Sequence, residues 1–159
     1  MALETLFHPQ CVAIDLHAGS KKQLLNELTA LAVKCPAVAA TSLSVRTVLA
    51  AVMERERLGT TGIGSGVAIP HARISGLTQM SAAFARLETP IEYEAVDDRP
   101  VDLVVMLLAP EDAGAEHLRA LARVSRLLRR EEIRARLRAA PSAESLYSLL
   151  SEAQAGQAA

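Results

Sequence analysis

The chain has 159 residues, half of them hydrophobic and 3% aromatic, with a formal net charge of −1. This is the length of one ordinary domain, and its core must be built from Ala, Leu, Val and Ile rather than from rings. The charge balance demands neither nucleic acid nor an anionic membrane as a partner. The opening MALETLFHPQ lacks the basic-then-apolar order of a secretory signal. The most apolar stretch, residues 103–109, is far below the roughly 20 residues that span a bilayer. Cys11 and Cys35 are isolated, without CxxC spacing, and read as small buried hydrophobes in a reducing, cytoplasmic setting.

Ser20 reads as an N-cap, and Leu24, Leu25, Leu28, Leu31 and Ala32 follow it at helical spacing, so a helix is expected to about Val33. Ser44 caps a second helix. Its inner face is Val45, Val48, Leu49, Val52 and Met53, and it ends near Leu58, before Gly59. Residues 59–66, GTTGIGSG, read as a loop. Val67, Ala68 and Ile69 make a short extended piece that Pro70 stops, because proline has no N–H for a ladder and pushes Ile69 toward β geometry. Residues 79–87 and 101–109 read as strands, the second so apolar that it belongs at the centre of a sheet covered on both faces. A helix is expected over 115–128, with Leu118, Leu121, Val124 and Leu128 inward, and helical character continues over 131–139. Ser142 opens a last helix carrying Leu146, Leu149 and Leu150. Residues 1–152 then form one α/β domain, a mixed sheet between helices, and 153–159 a fraying tail.

The informative segment is 59–71, GTTGIGSGVAIPH, in which Gly59, Gly62, Gly64 and Gly66 fall within eight positions. Glycines let a backbone approach a ligand closely, and such loops present N–H groups to anions. Two familiar phosphate loops do not fit. A P-loop needs a lysine after its last glycine, and Ser65-Gly66 stands there. A dinucleotide fingerprint needs a third glycine where Val67 stands, and a strand rather than a helix before the loop.

His71 follows the loop behind Pro70. A neutral imidazole is nucleophilic near pH 7 and can attack a phosphoryl group without a separate base. Arg57, in RERLG at the end of the preceding helix, offers a planar fork for phosphate oxygens. Thr60 and Thr61 supply hydroxyls. His117, in the first turn of AEHLRAL, sits where helix N–H groups attract anions and favour a neutral ring. Each has a plainer reading: a surface histidine at 71, a solvated charge at 57, a helix cap at 117, a turn former at Thr61, and loop shape alone at Gly62, Gly64 and Gly66. His8 and His17 have no supporting context and read as surface. Arg119, Arg123, Arg126, Arg130 and Arg134 form a basic stripe, which is a solvated helix face or a dock for an acidic partner. No aromatics interleave it, so single-stranded nucleic acid is disfavoured.

RERLGTTGIGSGVAIPH resembles the signature of enzyme IIA proteins of the phosphotransferase system, fructose/mannitol class, and most closely the nitrogen-regulatory (PtsN-type) branch. LETPIEYEAVDDRPVDLVVMLLAP, EHLRALARVSRLLR and LRAAPSAESLYSLL resemble corresponding stretches of that branch, so the likeness spans about 6–150. The resemblance implies the mannitol-type enzyme IIA fold. It implies a phosphoryl carrier with no cofactor or metal, acting mainly as a regulator. His71 would be the acceptor (tele-phosphohistidine), His117 would support it and Arg57 would steady the phosphate. The implied donor is an HPr-type phosphocarrier (NPr in that branch), and the implied target a regulated protein such as a kinase or a potassium-transport component. Many relatives carry glycine after the active histidine where Ala72 stands here. If that position needs positive φ, alanine strains it by about 1 kcal/mol or more. Three other functions stay open: a sugar-uptake IIA that passes phosphate to a IIB component, a binding module without phosphotransfer, and a metal-dependent hydrolase using His71 and His117. The last lacks HExxH spacing and any cysteine close in sequence to either histidine.

Overall fold

The apolar run Val101–Pro110 is the axis of the molecule. The structure, a computed structural model, describes the backbone of residues 6–158 and the side chains of residues 6–153. Its elements are β1 (Phe7–Leu16), α1 (Lys21–Ala32), α2 (Pro36–Ala39), α3 (Val45–Arg57), β2 (Gly62–Gly64), β3 (Val67–Ala68), β4 (His71–Ile74), β5 (Ser81–Ile91), β6 (Val101–Pro110), α4 (Ala115–Leu128), α5 (Glu131–Ala139) and α6 (Ala143–Ala158). The sheet order is β1-β5-β6-β3-β2, with β4 also on β6. β1 runs parallel to β5, β5 antiparallel to β6, and β3 and β4 parallel to β6. The expected mixed sheet is present.

Two helical layers cover it. Leu24, Leu25 and Leu28 of α1 and Val48 and Val52 of α3 pack on Ala83, Val104, Met106 and Leu108. On the opposite face, Val124 and Leu127 of α4, Leu137 of α5, and Leu146 and Leu150 of α6 pack on Phe84, Val105 and Leu107. The caps lie where the sequence places them. Ser20 accepts from Gln23 N, Ser44 from Thr47 N, and Ser142 from Ser145 N.

Several expectations are corrected. β1, α2 and β4 are additional elements. In α4 the inward residues are His117, Ala120, Val124, Leu127 and Leu128, while Leu118 faces out. Helix α6 continues to Ala158, through the stretch read as a tail. Cys11 and Cys35 are paired in a disulfide with Cα atoms 5.5 Å apart. The residues are 24 apart in sequence, and the packing of β1 beside the α1–α2 junction brings them together. Both are buried, as expected of them singly.

The core is close-packed, so truncation inside it leaves a void. Leu28 is completely buried between α1 and the sheet. Leu28→Ala is expected to lower stability by about 2–5 kcal/mol in urea unfolding, with an unchanged m-value.

Candidate functional site

The site is built where one edge of β6 is shared by two short strands. Val67 and Ala68 pair with Leu103 and Val104, and His71 to Ile74 pair with Leu107 to Pro110. Pro70 stands between them. It has no N–H to give, but its carbonyl accepts from Leu107 N at 2.9 Å, so the parallel ladder runs past it. His71 therefore opens a strand, where the sequence suggested that it follows the end of one. Side chains alternate along a strand. Ala72 and Ile74 point into the layer of α1 and α3, so His71 and Arg73 emerge together on the other side. Ala72 lies in the ladder opposite Leu108 and has no positive φ, so alanine is unstrained there.

The ring of His71 is oriented by its own backbone. Nδ1 lies 2.8 Å from the carbonyl oxygen of Ile69. A carbonyl only accepts, so Nδ1 carries the proton and Nε2 presents a lone pair. Burial pulls the His71 pKa below its ordinary value. The Ile69 hydrogen bond opposes this, the charge of Arg55 adds to it, and that of Glu56 opposes it. His117 meets the ring edge-on, with centroids 5.5 Å apart and planes at 67°. His117 is 5% exposed, and its Nδ1 has no hydrogen-bond partner among the described residues. Burial first, then the charges of His71 and Arg73, push its pKa down to about 4. Both rings are thus neutral at pH 7. Helix α4 starts at Gly114, whose φ of 48° suits glycine, and no side chain caps it. Its first turn carries the positive end of a helix dipole without a side-chain cap, and Glu116 N donates to the Ala113 carbonyl at 3.0 Å.

These groups line one open cavity of about 720 Å³, with His71, Arg73, Gly114 and His117 on one side and Glu54 and Arg55 of α3 on the other. Of the two arginines in RERLG, Arg55 lines the cavity and Arg57, the one expected to steady the phosphate, does not. Residues two apart on a helix point about 200° apart, so only one of the pair can face the site. Arg57 is 74% exposed and pairs with Glu54 at 3.0 Å. Arg55 also donates to the Gly59 carbonyl at 3.0 Å, which closes the end of α3.

The glycine segment is a hairpin, β2 and β3, and it does not line the cavity. Thr61 is buried and donates to the carboxylate of Glu56. The Tyr93 hydroxyl donates to the same carboxylate at 3.1 Å, and Lys21 pairs with it at 2.9 Å. Burial, then the charge of Glu56, keep the Tyr93 phenol protonated. Gly62 is needed for space, since a Cβ there would lie 2.8 Å from the backbone of Ala95. Gly64 and Gly66 take positive φ in the turn. Arg138 braces that turn by donating to the Ser65 carbonyl at 2.8 Å while it pairs with Asp102. Thr61, Gly62, Gly64 and Gly66 therefore shape the scaffold that leads to His71. Arg55, Arg73 and Glu54 line the cavity without having been singled out, and the only signal for Arg55 was the helical phase of RER. His8 and His17 lie at the surface. Among the described residues no three His, Cys, Asp or Glu side chains gather to hold a metal ion.

The buried His117 sets a pH dependence of stability. Its unfolded pKa is about 6.5 and its folded value about 4. Between these values the unfolded chain binds the extra proton, so stability is full above pH 6.5 and falls as the pH drops toward 4, with a slope of up to about 1.4 kcal/mol per pH unit. Denaturant titrations at a series of pH values should show this fall, and His117→Gln should flatten it.

Residues 5–153 match the family described as "Phosphoenolpyruvate-dependent sugar phosphotransferase system, EIIA 2". The nitrogen regulatory protein of Bradyrhizobium diazoefficiens is 46% identical over 150 residues, 94% of this chain and 95% of that protein. The crystal structure of the nitrogen regulatory protein IIA-Ntr from Neisseria meningitidis matches with a TM-score of 0.86 at 35% identity, covering 94% of this chain and 99% of that chain. The IIA mannitol structure from Escherichia coli shares the fold, with a TM-score of 0.73 at 18% identity over 91% of this chain and 98% of that one. A mixed sheet between helices, a histidine presented at the edge of its central strand and these likenesses converge: the chain belongs to the type-2 enzyme IIA family of the phosphoenolpyruvate-dependent sugar phosphotransferase system, on its nitrogen-regulatory side.

Proposed function

We propose that the chain accepts a phosphoryl group on Nε2 of His71 from an HPr-type phosphocarrier, NPr in the nitrogen-regulatory setting, and regulates a protein partner according to whether it carries that group. The observation that carries this reading is the Ile69 carbonyl held at Nδ1. It leaves Nε2 as the free nucleophile facing the cavity. Attack forms the Nε2–P bond as the N–P bond of the donor breaks, and that bond's electron pair returns to the donor nitrogen. His71 keeps its Nδ1 proton throughout, and the Ile69 carbonyl stabilises the positive charge that develops on the ring. Arg55 and the first turn of α4 meet the phosphoryl oxygens. The neutral ring of His117 packs beside His71 without adding a competing charge.

Two exposed apolar side chains rim the same cavity, Leu58 at 81% and Leu118 at 66%. Such a rim suits a partner that docks briefly over the site. A phosphoryl group there adds about two negative charges, which repels a partner that covers the rim and desolvates it. A kinase or a potassium-transport component is the class of target the family resemblance suggests. No helix among the described residues is long and apolar enough to cross a membrane, and we place the carrier in the cytoplasm with its donor.

Incubation with enzyme I, an HPr-type carrier and labelled phosphoenolpyruvate should label the wild-type chain on nitrogen. His71→Ala should take no label, and full labelling of it would refute the assignment. Arg55→Met should slow transfer by about 10²-fold, the cost of losing one preorganised charge stabiliser. Arg57→Ala should stay within about twofold of wild type, as expected for an exposed ion pair. Because the His71 pKa lies below its ordinary value, the rate should hold as the pH is lowered past 6.5 and decline only further down.

A further inference from the structure

We propose that Arg73 is a second phosphoryl-binding cation, closing with Arg55 on the oxygens of the group that His71 carries. The proposal rests on the reading of His71 as the acceptor and adds a residue to it. Arg73 is two positions after His71 on β4, so both side chains leave the strand on the same side. Both line the same cavity. Arg73 is exposed and makes no hydrogen bond or ion pair among the described residues, so all five N–H groups of its guanidinium are uncommitted. Its charge is already felt inside the cavity, where it helps to disfavour protonation of His117.

The charges around the phosphoryl oxygens leave room for such a partner. A phosphoryl group brings about two negative charges, and Glu54 adds another at the cavity wall. Arg57 compensates Glu54 from outside the cavity. Arg55 then supplies one positive charge, and part of its fork is spent on the Gly59 carbonyl. His117 adds none, and the positive charge that develops on the phosphorylated His71 ring stays on the ring rather than reaching the phosphoryl oxygens. Arg73 would supply a second cation to the phosphoryl oxygens, on a flexible stem two residues along the strand from His71. The transfer balances without a proton step: the Nε2–P bond forms, the donor N–P bond breaks with its pair returning to the donor, and Arg73 stays protonated as an electrostatic clamp.

The test uses the full chain and an HPr-type carrier phosphorylated with enzyme I. Wild type is compared with Arg73→Met, Arg73→Lys and Arg119→Met, the last an exposed arginine that does not line the cavity. Arg73→Met should shift the transfer equilibrium toward the donor by about 10- to 100-fold. It should also raise the pH at which the ³¹P resonance of the phosphohistidine titrates, an effect that a purely structural role would not produce. Arg73→Lys should restore part of both effects, and Arg119→Met should match wild type. Arg73→Met matching wild type in equilibrium and ³¹P titration overturns the proposal while leaving His71 as acceptor. A wild-type chain that takes no phosphoryl group from the carrier overturns both.

Discussion

The carbonyl oxygen of Ile69 accepts from Nδ1 of His71 across an intervening proline. Much of the molecule serves to hold those two groups at 2.8 Å. Ile69 is fixed from one side by its N–H, which donates to the Thr61 carbonyl, and His71 from the other by its ladder with Leu107. Pro70 lets both happen along a single edge of β6. Its ring has no hydrogen to offer the ladder, while its carbonyl still receives Leu107. A histidine on an ordinary continuous strand would have no carbonyl two residues back turned toward its ring. The tautomer would then be left to solvent.

The rest of the fold keeps that edge in place. Glu56, at the end of α3, gathers Thr61, Tyr93 and Lys21 around one carboxylate. A buried carboxylate is costly unless it is paired and hydrogen-bonded, and here it receives two hydroxyls and an ammonium. Helix, hairpin and the β5–β6 connection are tied by this one group. The same short stretch of α3 sends Arg55 into the cavity, so the bracing carboxylate and the cavity arginine come from adjacent residues about 100° apart around one helix.

Much of this was legible in the sequence. Ser20 and Ser44 announced their helices because a hydroxyl that accepts from the third residue on is a local signal. The run 101–110 announced a central strand because both faces are covered. The motif around His71 and the family resemblance pointed to the segment proposed here to accept the phosphoryl group. What escaped depends on tertiary contact. β1 carries a proline and an irregular register, so its burial does not alternate. β4 is only four residues long and exists because β6 lies beside it. The disulfide depends on packing between elements that are distant in sequence. The glycines read as an anion loop because glycine marks both close ligand approach and tight turns, and only the structure shows Ala95 and Arg138 filling the space. Arg55 and Arg57 are equivalent in composition and differ only in helical phase. Leu118 fits an inward stripe with Leu121 and Val124 as well as it fits an outward rim, and the phase is decided by His117 turning inward.

The central claim concerns one atom. Nitrogen-15 NMR of the imidazole groups, recorded after phosphorylation by an HPr-type carrier, identifies the nitrogen bonded to phosphorus through its shift and one-bond coupling. The account predicts phosphorus on Nε2 of His71, with the Nδ1 proton retained and protected from exchange. Phosphorus on Nδ1 of His71, or on His117, would contradict it.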